Sequence, residues 1–176
     1  VYVSIHEHGN ASVLLAAVMV ALFVAFMAVF PALAAAAFAA LRARSAAAAV
    51  LAFTACQVGL EWVLTWFLTG FPWLFAGYSQ LHWPLAGWAP LAGVLGVSLF
   101  TVLSGAVLWA LWEDRARSRA VQAMVAAVLA AWLLGAGLAR VDWSEADGEA
   151  LEVALVQGVV PQATKWRREM RRPILE

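Results

Sequence analysis

The sequence predicts an all-α, multi-pass membrane helix bundle with four transmembrane helices, followed by the first β-strand of a second, soluble domain. Three observations carry this. The 176 residues are 65% hydrophobic and only 12% charged, against about 45–50% apolar and about 25% charged in an ordinary soluble domain. Four apolar stretches are each long enough to cross a bilayer, for which a helix needs about 20 residues. The short links 42–45 and 113–119 are rich in arginine, as links on the cytoplasmic side of a membrane tend to be.

The first apolar stretch, 12–41, contains no charge. As a helix it would run about 45 Å, against a hydrocarbon core of about 30 Å. It must tilt, kink or project, and Pro31 is the expected kink. The second stretch, 46–68, holds one charge, Glu61. The third spans 89–112 and the fourth 120–139. The link Arg42-Ala43-Arg44-Ser45 is so short that the helices it joins must form an antiparallel hairpin. The link 113–119 carries Arg115, Arg117 and Arg119. Alternation puts both links on one side, expected to be cytoplasmic, with 1–11, 69–88 and everything after 140 outside. The basic tail (Lys165, Arg167, Arg168, Arg171, Arg172) opposes this only if it is counted as a short loop; the rule does not extend to the surface of a folded domain. The alanine runs 34–37 and 46–49 suit close helix packing.

The segment 69–88 is no ordinary loop. It is rich in aromatics and contains no carboxylate, Arg or Lys. Gly70, Pro72, Gly77, Pro84 and Gly87 prevent one continuous helix. A segment this apolar should lie along the membrane surface or fold back into it. An aromatic interfacial belt and a lipid-facing arm over a substrate site both fit. After 139 the character changes: 140–150 is a polar, acidic linker, and 151–158 alternates and is β-branched, as a strand entering a turn does. The remaining residues are too few to bury a core. The chain begins at Val1 and ends on Pro173-Ile174-Leu175-Glu176, so both ends are expected to be cut.

The charge balance, 11 basic against 11 acidic residues, gives no argument for nucleic acid as a partner. Cys56 is the one cysteine and is expected to be a small lipid- or core-facing residue. Glu61 is the one acid well inside a crossing. Such carboxylates are often functional, but one near the end of its helix can equally be capped by a Trp N–H or by water. His6 and His8 flank Glu7 without a third ligand nearby, so a solvated or interfacial loop is expected there rather than a metal site. His82, beside Trp83, is expected at the interface. No nucleophile–base pair, phosphate loop or metal-ligand cluster stands out, and no cofactor is implied. On the residues alone, a non-enzymatic membrane scaffold or transporter subunit remains open.

Three stretches together resemble one family. They are Tyr2-Val3-Ser4-Ile5-His6 with Gly9; Phe67-Leu68-Thr69-Gly70-Phe71-Pro72-Trp73-Leu74, continuing through Gly77-Tyr78-Ser79-Gln80 to Pro84-Leu85-Ala86-Gly87; and Val156-Gln157-Gly158 with Pro161-Gln162 and Lys165-Trp166. Their order and spacing resemble those of apolipoprotein N-acyltransferases of Gram-negative bacteria. The middle motif is the most specific. The resemblance implies a membrane bundle, here 1–139, and the truncated start of a periplasmic, nitrilase-like α/β domain at 151–176. It implies a bacterial inner-membrane enzyme that moves a fatty acyl chain from a phospholipid donor to the N-terminal diacylglyceryl-cysteine of an apolipoprotein acceptor. It further implies that a catalytic Glu, Lys and Cys lie beyond Glu176, which leaves no catalytic residue in this chain and no nucleophilic role for Cys56. By the same resemblance Trp73, Tyr78 and Trp166 are expected to contact substrate. Val159 and Arg167 depart from the family pattern beside Gly158 and Trp166. A different nitrilase-fused membrane enzyme, such as an amidase, also remains open.

Overall fold

The computed structural model describes residues 1–113, 118–145, 147–148 and 152–155. The four apolar stretches form four helices: α1 Val13–Leu41, α2 Ala46–Trp66, α3 Ala89–Trp112 and α4 Arg119–Leu138. All four are long and apolar enough to cross a bilayer, the third counted from Pro84, and the chain is a multi-pass membrane protein.

Local chemistry sets the helix ends. The Ser45 hydroxyl accepts the Ala48 N–H at 3.1 Å and caps α2, satisfying one of the orphan donors of its first turn. Arg42, just past α1, takes a left-handed conformation (φ 44°) at the position where glycine most often ends a helix. Pro90 opens α3, where its missing N–H costs nothing. The helical run of α1 continues through Pro31. Within α3 the helical dihedrals are interrupted at Gly93 (φ 61°, ψ −172°).

The chain divides into two compact units, Val1–Val29 with Ala146–Glu176, and Phe30–Glu145. In the first, Ser4–His8 forms one turn of π-helix, not the expected loop. His6 Nδ1 lies 2.8 Å from the Ala11 carbonyl oxygen, so this imidazole closes a local turn. Residues 152–155, the described part of the expected strand, are exposed and form no strand. The rest of that stretch and Trp166 lie outside the described residues.

In the second unit, α2, α3 and α4 pack on one another. Near the 42–45 link, Val50 of α2 meets Ala106, Val107 and Ala110 of α3 and Val121 of α4. Toward the other end, Leu85, Val97 and Ala131 form a second cluster with Trp88, Phe100 and Trp132. Thr54 and Trp132, inside the crossings, find protein partners. Thr54 donates to the Val50 carbonyl at 2.8 Å, and Trp132 donates across helices to Ser104 Oγ at 3.1 Å. The hairpin of α1 and α2 is antiparallel: Phe38 meets Phe53 and Phe30 meets Phe67, both edge to face.

The two alanine runs part company. Ala46 and Ala47 pack against the Val50 cluster, but Ala35, Ala36 and Ala37 are exposed. The expectation of close packing therefore fails for most of 34–37. Methyl groups permit close approach and do not compel it, because lipid tails solvate them as well as a neighbouring helix does.

Candidate functional site

The segment 69–88 leaves α2 through a tight turn. Leu68 and Gly70 both have positive φ (57° and 78°), and the Phe71 N–H donates back to the Leu64 carbonyl at 2.7 Å. A Cβ on Gly70 would come within 2.5 Å of the Thr65 carbonyl oxygen. Glycine is therefore required at this step of the Thr69-Gly70-Phe71-Pro72-Trp73 motif. The chain then forms two short 3₁₀ helices, Ala76–Gln80 and Pro84–Trp88, in place of a continuous helix, as its Gly and Pro content predicts.

Beyond that turn, three hydrogen bonds among the described residues fasten the arm to the bundle, one to each of α2, α3 and α4. From α2, Glu61 Oε1 accepts the Ala76 N–H at 2.9 Å. From α3, Ser98 Oγ accepts the Gly77 N–H at 2.8 Å. On α4, the Ala131 carbonyl accepts the Trp88 indole N–H at 2.9 Å. Glu61 is 2% exposed, so its bond forms where water does not compete, and such bonds are strong. Two close backbone approaches add to them. A Cβ on Gly87 would overlap the Gly135 carbonyl oxygen, and one on Gly77 would reach 2.5 Å from the Val94 carbonyl oxygen.

The fastened arm presents an apolar rim. Trp73 is 76% exposed and Leu74 80%, with Tyr78, Leu81 and Trp83 also exposed. Trp73 stacks on Phe71 with ring centroids 6.2 Å apart. Tyr78 stacks on Phe75 at 5.9 Å, and Phe75 itself is buried. Trp73 and Tyr78 thus each have a backing ring that holds their orientation. The expected substrate residues Trp73 and Tyr78 share one arm, each on its own support.

The arm offers an exposed apolar surface. Among the described residues no group of three or more His, Cys, Asp or Glu could hold a metal ion. Glu61 is engaged by a backbone amide, a partner that the sequence-based choice between a Trp N–H and water did not include. Its Oε2, and Gln80 Oε1, are buried and accept no hydrogen bond among the described residues. Cys56 lines a cavity between α1 and α2 with Phe38, Phe53 and Gln57. Sequence reasoning missed Ser98, Trp88 and Gly135. The glycines of the arm were a signal, since Gly77 and Gly87 were read as helix breakers when they are also points of contact.

Comparison with known proteins adds one family match and three relatives. Residues 1–107 match the model of the apolipoprotein N-acyltransferase N-terminal domain. The chain is 44% identical over 168 residues to the apolipoprotein N-acyltransferase of Pseudomonas syringae pv. tomato, covering 94% of this chain and 33% of that protein. It is 43% identical over 174 residues to that of Azotobacter vinelandii (96% and 33%), and 36% identical over 168 residues to that of Coxiella burnetii (94% and 34%). The chain spans about a third of the length of the curated relatives it matches.

Proposed function

The chain belongs to the apolipoprotein N-acyltransferase family, and we propose that its arm and bundle collect the lipid substrates of N-acyl transfer during lipoprotein maturation. In that reaction a cysteine thiolate attacks the ester carbonyl of a phospholipid. The ester C–O bond breaks, a lysophospholipid leaves with a proton, and a thioester remains. The α-amine of a diacylglyceryl-cysteine then attacks the thioester carbonyl, the C–S bond breaks, and a carboxylate takes the amine proton. A lysine steadies the oxyanion of each step. The family resemblance assigns these reacting groups to the part of the relatives that this chain does not span.

The observation that carries the reading is the exposed Trp73 on an arm fastened by a buried carboxylate. An apolar rim is suited to acyl chains, and a fixed one loses little freedom when it binds them. Trp73, Tyr78 and Trp166 are the proposed substrate contacts. The same reading puts the protein in a bacterial inner membrane. The links at 42–45 and 113–119 would face the cytoplasm. The arm, the linker 140–150 and a nitrilase-like domain opening at 151–176 would lie in the periplasm.

The test is a Trp73→Ala variant of the gene product that contains this chain, in cells whose own enzyme is depleted. Thioester formation and acyl transfer are followed separately by mass spectrometry. Loss of either step with unchanged protein level supports the role of the rim. If the wild-type gene product leaves lipoproteins without an N-acyl chain, the proposal fails outright.

A further inference from the structure

At the end of the bundle away from the arm, a cavity of about 380 Å³ is lined by Phe38 of α1, Ala49 and Phe53 of α2, and Trp109 of α3. A second, of about 240 Å³, adjoins it along the α1–α2 hairpin, shares Phe38 and Phe53, and reaches Pro31 and Gln57. All of these residues belong to the unit Phe30–Glu145. On α1 the lining positions 31, 34, 35 and 38 follow one helical stripe, and on α2 positions 49, 53, 56 and 57 follow another. The two cavities therefore form a groove that runs about 12 Å along α2. The larger falls within the volume range of ligand pockets, about 300–1,000 Å³. Among the described residues its lining is apolar apart from the Trp109 indole N–H, which makes a hydrocarbon chain the fitting occupant.

The charge at the mouth narrows the choice. Phe38 lies in the last turn of α1 and Ala49 in the first turn of α2, so the link 42–45 lies at this end of the groove. That link holds Arg42 and Arg44, both exposed, and no acid. The described charges of the neighbouring link, Glu113 and Arg119, offset one another, so Arg42 and Arg44 leave the described charge at this end basic. Guanidinium groups match phosphate oxygens in geometry and charge, and basic residues beside a crossing attract anionic lipid.

We propose that this groove is a binding site for one anionic phospholipid, with an acyl chain between Phe38, Phe53 and Trp109 and the phosphate held by Arg42 and Arg44. Ala49 stands 12 residues before Glu61, about 18 Å along α2, so this lipid and one touching the arm occupy opposite ends of the bundle. The inference rests on the groove and its charges, not on the acyl-transfer reading, and it can fail or hold alone.

Native mass spectrometry of the delipidated gene product that contains this chain, in detergent, tests it, with phosphatidylglycerol or phosphatidylcholine added. One phosphatidylglycerol should resist removal at collision energies that strip the rest, retained about tenfold more than phosphatidylcholine. Ala49→Leu, which fills the cavity, should abolish the retained lipid while helix content is unchanged. The double change Arg42→Gln with Arg44→Gln lies in an exposed link and leaves the packed core alone. It should lower phosphatidylglycerol to the phosphatidylcholine level. Equal retention of the two lipids by the wild-type chain would mean annular lipid only and overturn the proposal. Undiminished phosphatidylglycerol in the double variant would overturn it as well.

Discussion

The two ends of the α2–α4 bundle are held by different chemistry. Near the 42–45 link the contact is alkyl: Val50, Ala106, Val107, Ala110 and Val121. At the arm end, Glu61, Ser98 and the Ala131 carbonyl each accept an N–H from the arm. In lipid these are not equivalent. Burying a methyl group against another helix gains little when acyl chains are equally apolar. A backbone N–H with no acceptor has no water to turn to, so its partner is close to obligatory. Alkyl contacts do not by themselves select one arrangement; the hydrogen bonds of the polar end do. The arm therefore sits where the bundle is most sharply specified.

Substitutions at both ends can break or sharpen this contrast. The largest effect is expected from Gly87→Val, since even its Cβ would overlap the Gly135 carbonyl. Overpacking of this kind should cost about 3 kcal/mol, read as a lowered thermal midpoint in detergent. Glu61→Ala comes next. It leaves the Ala76 N–H buried without an acceptor, at about 2 kcal/mol, and should speed hydrogen exchange of the arm amides. Glu61→Gln keeps the acceptor oxygen and should keep most of the protection. If Gln behaves like Ala, the role of Glu61 is not that of an acceptor. Ser98→Ala should cost about 1 kcal/mol, with the gain in exchange centred on Gly77. Val50→Ala at the alkyl end should cost less than about 1 kcal/mol in a bilayer, because only packing is lost. A larger loss for Val50→Ala than for Glu61→Ala would reverse the contrast.

The crossings were legible because their signal is local: hydropathy over about 20 residues fixes a span without reference to partners. The broken backbone of 69–88 was legible for the same reason, since Gly and Pro act through their own dihedrals. What holds the arm was not. Ala76 lies 15 residues from Glu61, and its contribution is an N–H that nearly every residue possesses, so no side chain announces it. The expected close packing of 34–37 failed because alanine marks a permitted approach without naming a neighbour. The strand expected at 151–158 depends on a partner strand for its hydrogen bonds, and its described residues, 152–155, are not in strand form. Trp73 and Tyr78 could be singled out through the Phe-Pro-Trp motif and its continuation, but the rings that back them, Phe71 and Phe75, appear only once the arm is folded.

The latch at Glu61 is written asymmetrically. One half is a particular side chain; the other is main chain, supplied by whatever residue stands at 76. Position 76 is therefore free to drift through the genetic code in a way that position 61 is not, with proline, which has no N–H to offer, the one substitution that removes the donor outright. A saturation library scored for arm protection should show this as a single forbidden letter at 76 set against a short permitted alphabet at 61.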